Sequence, residues 1–217
     1  MKTLPLPIAI LIGGLSMTSQ VEAKPDITEV RLEDGKTIDN TIPEPVLDGS
    51  KIKPGDVIIG LPANGLHTNG YSLARKVLFE QMQLRADSRL TGVTGTLGAE
   101  LLRVHRNYQP LLASLPAGFV KGLAHITGGG LVDNLPRVLP KNCDAVIDTR
   151  SWKTPPIFER IERGGRVDHA EMYQVFNMGI GMTMVVAPRD RAEAIRRTKG
   201  RVIGEIESGS GLVRLSF

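Results

Sequence analysis

The sequence has a single cysteine, Cys143, in 217 residues. No internal disulfide can form, and no cysteine spacing of the zinc-binding type exists. That usage fits a reducing compartment. Cys143 lies in Lys141-Asn142-Cys143-Asp144, next to the apolar run Ala145-Val146-Ile147, and reads as a strand-edge or core residue rather than a nucleophile. Aromatic residues make up only 4% of the chain. The core must therefore be mostly Val, Ile, Leu and Met, and there is no aromatic platform on which nucleic-acid bases could stack. The apolar stretch Leu4 to Met17 is too short, and too interrupted by Pro5 and Pro7, to span a bilayer. No Gly-x-Ser-x-Gly elbow and no nucleophile with an evident base occur, so acyl hydrolysis has no support. The four histidines show no i,i+4 helical pairing, and no metal site is assigned from spacing. Neither a nucleic acid nor a membrane is expected as a partner.

The charge balance is mildly basic, with a net charge of +4 and a pI near 9.3. One dense group stands out: Arg189, Arg191, Arg196, Arg197, Lys199 and Arg201. It reads as a solvated helix face. A small anionic substrate fits the balance equally well.

The first residues carry two readings. Lys2, the apolar stretch and Val21-Glu22-Ala23 resemble a signal peptide with a cleavage site. Alternatively, Ile8 to Ile12 is a buried strand stopped by Gly13-Gly14. The strand goes with a cytoplasmic protein and the signal peptide with an exported one. A further strand over Ile27 to Leu32 and a turn at Glu33 to Lys36 precede a polar, proline-bearing linker. A boundary near Pro45 divides the chain into a short segment, 1–46, and a main domain, 47–217.

The main domain alternates strands and helices. Strands are expected at Val57–Leu61, Ala124–Thr127, Cys143–Ile147, Gly181–Ala187, Val202–Ile206 and Leu212–Leu215. Helices are expected at Tyr71–Gln81, Leu97–Leu115 with a bend at Pro110, Leu131–Val138, Pro155–Arg163 stopped by Gly164-Gly165, Asp168–Val175 and Asp190–Thr198. The fold class is α/β, or α+β in layers.

Three glycine-rich loops carry the candidate chemistry. The run Gly60 to Ser72 takes a strand through a glycine-punctuated loop into a helix, and its backbone N–H groups, with His67 and Asn69, suit an anion. A tight turn with a capping Asn or Ser would give the same pattern. The run His125-Ile126-Thr127-Gly128-Gly129-Gly130 is followed by a helix start containing Asn134 and Arg137. Three successive glycines cost backbone entropy, so they suit a place where the chain must approach a ligand closely. Arg137 offers a fork for phosphate. No Gly-Lys-Ser/Thr follows, so this is not a Walker A loop. Asn177-Met178-Gly179-Ile180-Gly181-Met182 lacks a third glycine and precedes a strand, so it reads as close backbone packing and not a dinucleotide fingerprint.

Taken together these runs resemble the C-terminal domain of phosphoribosylformylglycinamidine cyclo-ligase (AIR synthetase). The resemblance begins at Leu47-Asp48-Gly49-Ser50 and continues through Gly65-Leu66-His67-Thr68-Asn69-Gly70-Tyr71-Ser72, His125 to Gly130, Asn134 to Pro140, Glu171-Met172-Tyr173 and Phe176 to Met182. It implies a layered mixed sheet with helices, packed in the family on an N-terminal, dimer-forming domain. It implies ATP-dependent activation of a formyl amide oxygen and ring closure of formylglycinamidine ribonucleotide to aminoimidazole ribonucleotide. ATP, Mg2+ and that ribonucleotide are the implied ligands, and a homodimer the implied assembly. The loops with His67, Asn69, Thr127, Gly128, Gly129, Gly130, Asn134 and Arg137 are the implied substrate or phosphate site, with His67 the candidate catalytic residue. Two departures stand out. The acidic Mg-ATP residues of the N-terminal domain have no counterpart here, and Val104-His105 stands where the family usually has Pro-Thr. The resemblance thus implies a truncated or divergent cyclo-ligase, with a non-catalytic nucleotide- or phosphate-binding domain or partner subunit of the same superfamily as the alternative.

Overall fold

A computed structural model describes Glu29–Arg31, Thr37–Asp39 and residues 47–217. The chain divides into two compact units, residues 1–43 and 44–217. In the first, strands β1 (Glu29–Arg31) and β2 (Thr37–Asp39) pair antiparallel, with Val30 opposite Ile38. The expected strand or signal segment within residues 1–23 and the turn at 33–36 lie outside the described residues.

The second unit is built on a mixed six-stranded sheet. Its strands are β3 (Val57–Pro62), β4 (Gly122–His125), β5 (Cys143–Asp148), β6 (Ile180–Val186), β7 (Arg201–Ser208) and β8 (Val213–Ser216). They lie in the order β4-β6-β3-β7-β5-β8, and every pairing is antiparallel except β5 with β8. The continuous apolar run of β3 follows from its central place. Ile58 points into one core layer, Ile59 and Leu61 into another, so both faces of the strand are covered.

The larger layer holds helix α1 (Tyr71–Arg75) and a π-helical continuation, Lys76–Gln81. It also holds α2 (Leu97–Leu101), α4 (Gly130–Asn134), α5 (Pro156–Gly165) and α6 (His169–Val175). Phe158 and Phe176 are fully buried there, ring centroids 5.6 Å apart and tilted by 55°. Burying such a side chain contributes about 1.5–3 kcal/mol. The smaller layer gathers Tyr108 and Leu111 and Leu112 of α3 (Gln109–Ala113) with Ala194 and Ile195 of α7 (Arg191–Thr198). The basic residues of α7 face solvent, and Glu193 holds Arg196 and Arg197. Among the described residues no helix is long and apolar enough to cross a membrane.

Three local expectations need correction. The single helix expected over Leu97–Leu115 is two short helices, α2 and α3, joined by a non-helical segment at 102–108. Pro110 sits in the first turn of α3, where a missing N–H costs nothing, so it starts a helix instead of bending one. The helix at Leu131–Val138 is α4 followed by a 3-10 turn, Leu135–Val138, in which Pro136 occupies the first turn. Gly164-Gly165 does not stop α5. Both glycines belong to its last turn, and the left-handed cap is Arg166, at φ 51°. The glycines are needed for packing, because a Cβ at Gly164 would strike Met82 and one at Gly165 would strike Val77.

Candidate active site

The end of β3 sets the geometry. After Pro62 the chain binds back to the sheet through Ala63 N–H to Gly179 O at 2.8 Å. It then turns through His67 at φ 54° and Thr68 at φ 62° before α1 begins behind Gly70. Two successive non-glycine residues with positive φ cost about 1–3 kcal/mol each, and such strain gathers at functional sites. Close packing holds them in place. Gly70 lies against the Phe176 ring, and the amide of the buried Asn177 donates to Gly65 O at 2.9 Å.

The three glycine-rich loops meet here. Gly181 lies under the His67 ring, where any Cβ would collide with His67 and with the Tyr108 hydroxyl. Ile126 N–H donates to Gly181 O at 3.0 Å. Asn69 faces Gly128, whose position would leave a Cβ 3.9 Å from Asn69 Oδ1. The third loop, read from sequence as packing, is therefore the floor on which the other two rest.

His67 is only 2% exposed. Asn64 Oδ1 lies 2.6 Å from its Nε2, and the Asn64 backbone N–H lies 3.1 Å from the same atom. The side-chain amide of Asn64 donates to Val104 O at 2.7 Å, which leaves Oδ1 turned to the ring. The Asn64 N–H points at Nε2 as a donor, whereas Oδ1 can only accept; the shorter, 2.6 Å contact selects the tautomer with a proton on Nε2 and the lone pair on Nδ1. Nδ1 is buried and has no hydrogen-bond partner among the described residues. His105 stacks on His67 at 4.1 Å between centroids, and His105 Nε2 lies 3.1 Å from His125 Nε2. Burial first, then the neighbouring His105, His125 and Arg106, push the His67 imidazolium down to about 4. His125 is lowered as well, by desolvation and then by His105. Tyr108 donates to Pro62 O at 2.9 Å, and burial pushes its hydroxyl up to about 12, against the pull of Arg106. At neutral pH the His67 and His125 rings and the Tyr108 hydroxyl are uncharged.

Beside them opens a cavity of about 540 Å³, lined by His105, Arg106, Tyr108, Leu112, His125 and Met182. Chain spacing carries no sign of the histidine group, because its members come from the loop after β3, the segment between α2 and α3, and the end of β4. One ring nitrogen from each of His67, His105 and His125 lies within 4.8 Å of the others.

The remaining sequence candidates play local parts. Asn134 is buried; its amide donates to Gly130 O at 2.7 Å and Gly128 O at 3.2 Å, while Thr127 Oγ1 donates to Asn134 Oδ1 at 3.0 Å. The pair fixes the shape of the glycine loop. Gly130 N–H is occupied by Thr127 O, and a Cβ on Gly130 would strike the carbonyls of Tyr173 and Phe176. Gly129, at φ 96°, lies against the Asp133 side chain, so a carboxylate stands beside the loop. Arg137 is exposed and donates to Asp133 O at 3.1 Å within its own turn. Gly128 is the exposed member of the three glycines, beside Asn69.

Residues 53–215 match the family model "AIR synthase related protein, C-terminal domain". The chain belongs to that family. Several relatives carry the name phosphoribosylformylglycinamidine cyclo-ligase. The one from Syntrophotalea carbinolica is 48% identical over 175 residues, 78% of this chain and 49% of the relative. The one from Syntrophus aciditrophicus is 44% identical over 172 residues, 76% and 50%. The one from Geobacillus kaustophilus is 40% identical over 208 residues, 93% and 59%. The chain thus spans about half the length of the curated relatives it matches. Among solved structures, the hydrogenase maturation protein HypE aligns with a TM-score of 0.51 at 16% identity, covering 80% of this chain and 52% of that one. A thiamine-monophosphate kinase from Stenotrophomonas maltophilia aligns at 0.50 and 17%, covering 77% and 52%. At these identities the likeness concerns the fold, and it agrees with the layered AIR synthase architecture read from the sequence.

Proposed function

We propose that this chain supplies the C-terminal half of a phosphoribosylformylglycinamidine cyclo-ligase site, in which the ring of aminoimidazole ribonucleotide is closed. The observation that carries the reading is the meeting of the three family loops at the end of β3. Asn69 faces Gly128, and Gly181 lies beneath His67. The exposed ground between Asn69 and Gly128 is where a substrate amide or hydroxyl would find the side-chain oxygen and a close backbone.

The chain's own residues would bind and orient. His67 is buried under His105, so it braces the loop, and His105 and His125 are the imidazoles that reach the cavity. Uncharged at neutral pH, His125 would accept the proton that leaves the attacking nitrogen as the ring closes. Tyr108 and Met182 would keep water from that nitrogen.

The implied nucleotide and metal do not fit these residues. Mg2+ requires oxygen ligands, and among the described residues no carboxylate group converges; the one convergent set is imidazole. Asp133 stands beside the glycine loop, and Arg137 is turned to its own helix, so a triphosphate finds no cradle there. No step is therefore routed through ATP-Mg on this half.

The test is ATP-dependent formation of aminoimidazole ribonucleotide, assayed with the chain alone and with an added N-terminal domain from one of the relatives. Turnover is expected only in the mixture. Silence in both, from a folded chain, overturns the proposal.

A further inference from the structure

We propose that His67, His105 and His125 form a binding site for a borderline divalent transition-metal ion of the zinc type. Two of the three, His105 and His125, line the cavity, which leaves room for a fourth ligand. The inference does not rest on the cyclo-ligase reading, and the two describe different states of the chain: with an ion bound, the His125 lone pair is held by the ion and does not serve as proton acceptor.

A metal-ligating histidine usually donates its other ring N–H to an oxygen, which fixes the tautomer and aims the free lone pair at the ion. Asn64 does this for His67. Its Oδ1 takes Nε2–H at 2.6 Å and is itself oriented by the bond from its amide to Val104 O. The lone pair is thereby assigned to Nδ1, a buried atom with no hydrogen-bond partner among the described residues. A buried nitrogen left unpaired costs free energy, about 1–3 kcal/mol. A metal ion would satisfy it.

The second step is spacing. Zinc binds imidazole nitrogen at about 2.0–2.1 Å, so two ligand nitrogens of a tetrahedral site lie about 3.3 Å apart. His105 Nε2 and His125 Nε2 are already 3.1 Å apart. The widest separation in the group, 4.8 Å, leaves a closure of roughly 1.5 Å to be made. His105 is the member able to make it. It lies on the non-helical segment between α2 and α3, half-buried, with its side chain bonded to His125. A rotation that unstacks it from His67 turns its in-plane lone pair toward the other two.

The third step is selectivity. Among the described residues no carboxylate joins the group, so hard ions find no side-chain oxygen there, whereas zinc, cobalt, nickel and copper favour imidazole. Three histidines from the protein leave the fourth position to water or a small ligand. The cavity that adjoins His105 and His125, with Tyr108 and Met182 on its walls, gives that ligand access. Arg106 lies nearby, but its guanidinium is drawn away onto Pro62 O and the Tyr108 ring.

The experiment is a Co2+ and Zn2+ titration of the full, untagged chain by calorimetry, with the visible absorption of the cobalt form read alongside. One ion per chain and tetrahedral cobalt bands are expected, undiminished by millimolar Mg2+. His105→Thr and His125→Asn should each weaken binding more than about tenfold, Asn64→Ala should do so by about 10- to 100-fold, and His169→Asn should change nothing. Residue 105 lies in a loop, so His105→Thr is expected to keep the native melting profile. X-ray absorption at the metal edge supplies a readout that needs no variant, with three imidazole nitrogens expected. No binding by the wild-type chain, binding that survives His105→Thr, or an edge spectrum without imidazole overturns the proposal.

Discussion

Asn64 and His67 form a closed latch: one side chain fixes the tautomer of the histidine and ties the loop after β3 to the segment carrying His105, through Val104 O at 2.7 Å. Asn64→Ala removes both bonds. The expected loss is about 1–3 kcal/mol of stability, read as a lower urea midpoint. Faster amide exchange should be confined to the two linked segments. Asn64→Asp keeps the acceptor and loses the donor, so it should fall between the two.

His67 makes stability depend on pH. Its folded value lies near 4, well below 6.5 for an exposed ring, because burial disfavours the charged form. Below about 6.5 the unfolded chain takes up a proton that the folded chain refuses, so stability falls as pH drops from about 6.5 to 4 and then levels off. After allowance for screening the loss is about 1–2 kcal/mol. Urea denaturation at pH 7, 5.5 and 4 checks it. A His67→Asn variant should lack that part of the slope.

Gly128 and Gly130 should behave oppositely. Gly130 has φ 58° and lies against the carbonyls of Tyr173 and Phe176, so Gly130→Ala forces α4 away from α6. A loss of about 3 kcal/mol or more is expected, read as a lower melting temperature. Gly128→Ala meets only Asn69 Oδ1, at 3.9 Å, and should melt like the wild type while reducing ribonucleotide binding.

Lys121 reaches Asp56 at 2.6 Å, and Asp56 is fully buried at the start of β3, where its second oxygen accepts Lys53 N–H. Lys121→Met leaves a buried charge without its partner. The expected cost is about 3–5 kcal/mol, seen in the urea midpoint.

The strands were readable because β3, β6 and the middle of β5, Ala145-Val146-Ile147, lie inside the sheet and are mostly apolar, so burial writes itself into the residue types. The loops were readable because glycine marks the places where no Cβ fits. The function of each glycine was harder to read. Gly130 and Gly181 lie against protein rather than ligand, and that requires knowing what packs from elsewhere in the chain. The break between α2 and α3 was hidden because Leu101, Leu102 and Val104 carry a helical spacing, yet Leu102 and Val104 are 82% and 84% exposed. The histidine group was hidden for the same reason that the fold creates it. Its three members are distant in sequence, and chain spacing registers only ligands that share an element.

Cys143 carries a practical consequence. It is the one thiol in the chain, fully buried in β5, and burial together with the charges of Asp56 and Asp144 pushes it up, away from the reactive thiolate. The native protein is thus a silent background for maleimide labelling. A cysteine introduced at an exposed position such as Val104 would take up a fluorophore alone, and its emission would follow the histidine-bearing segment as it moves.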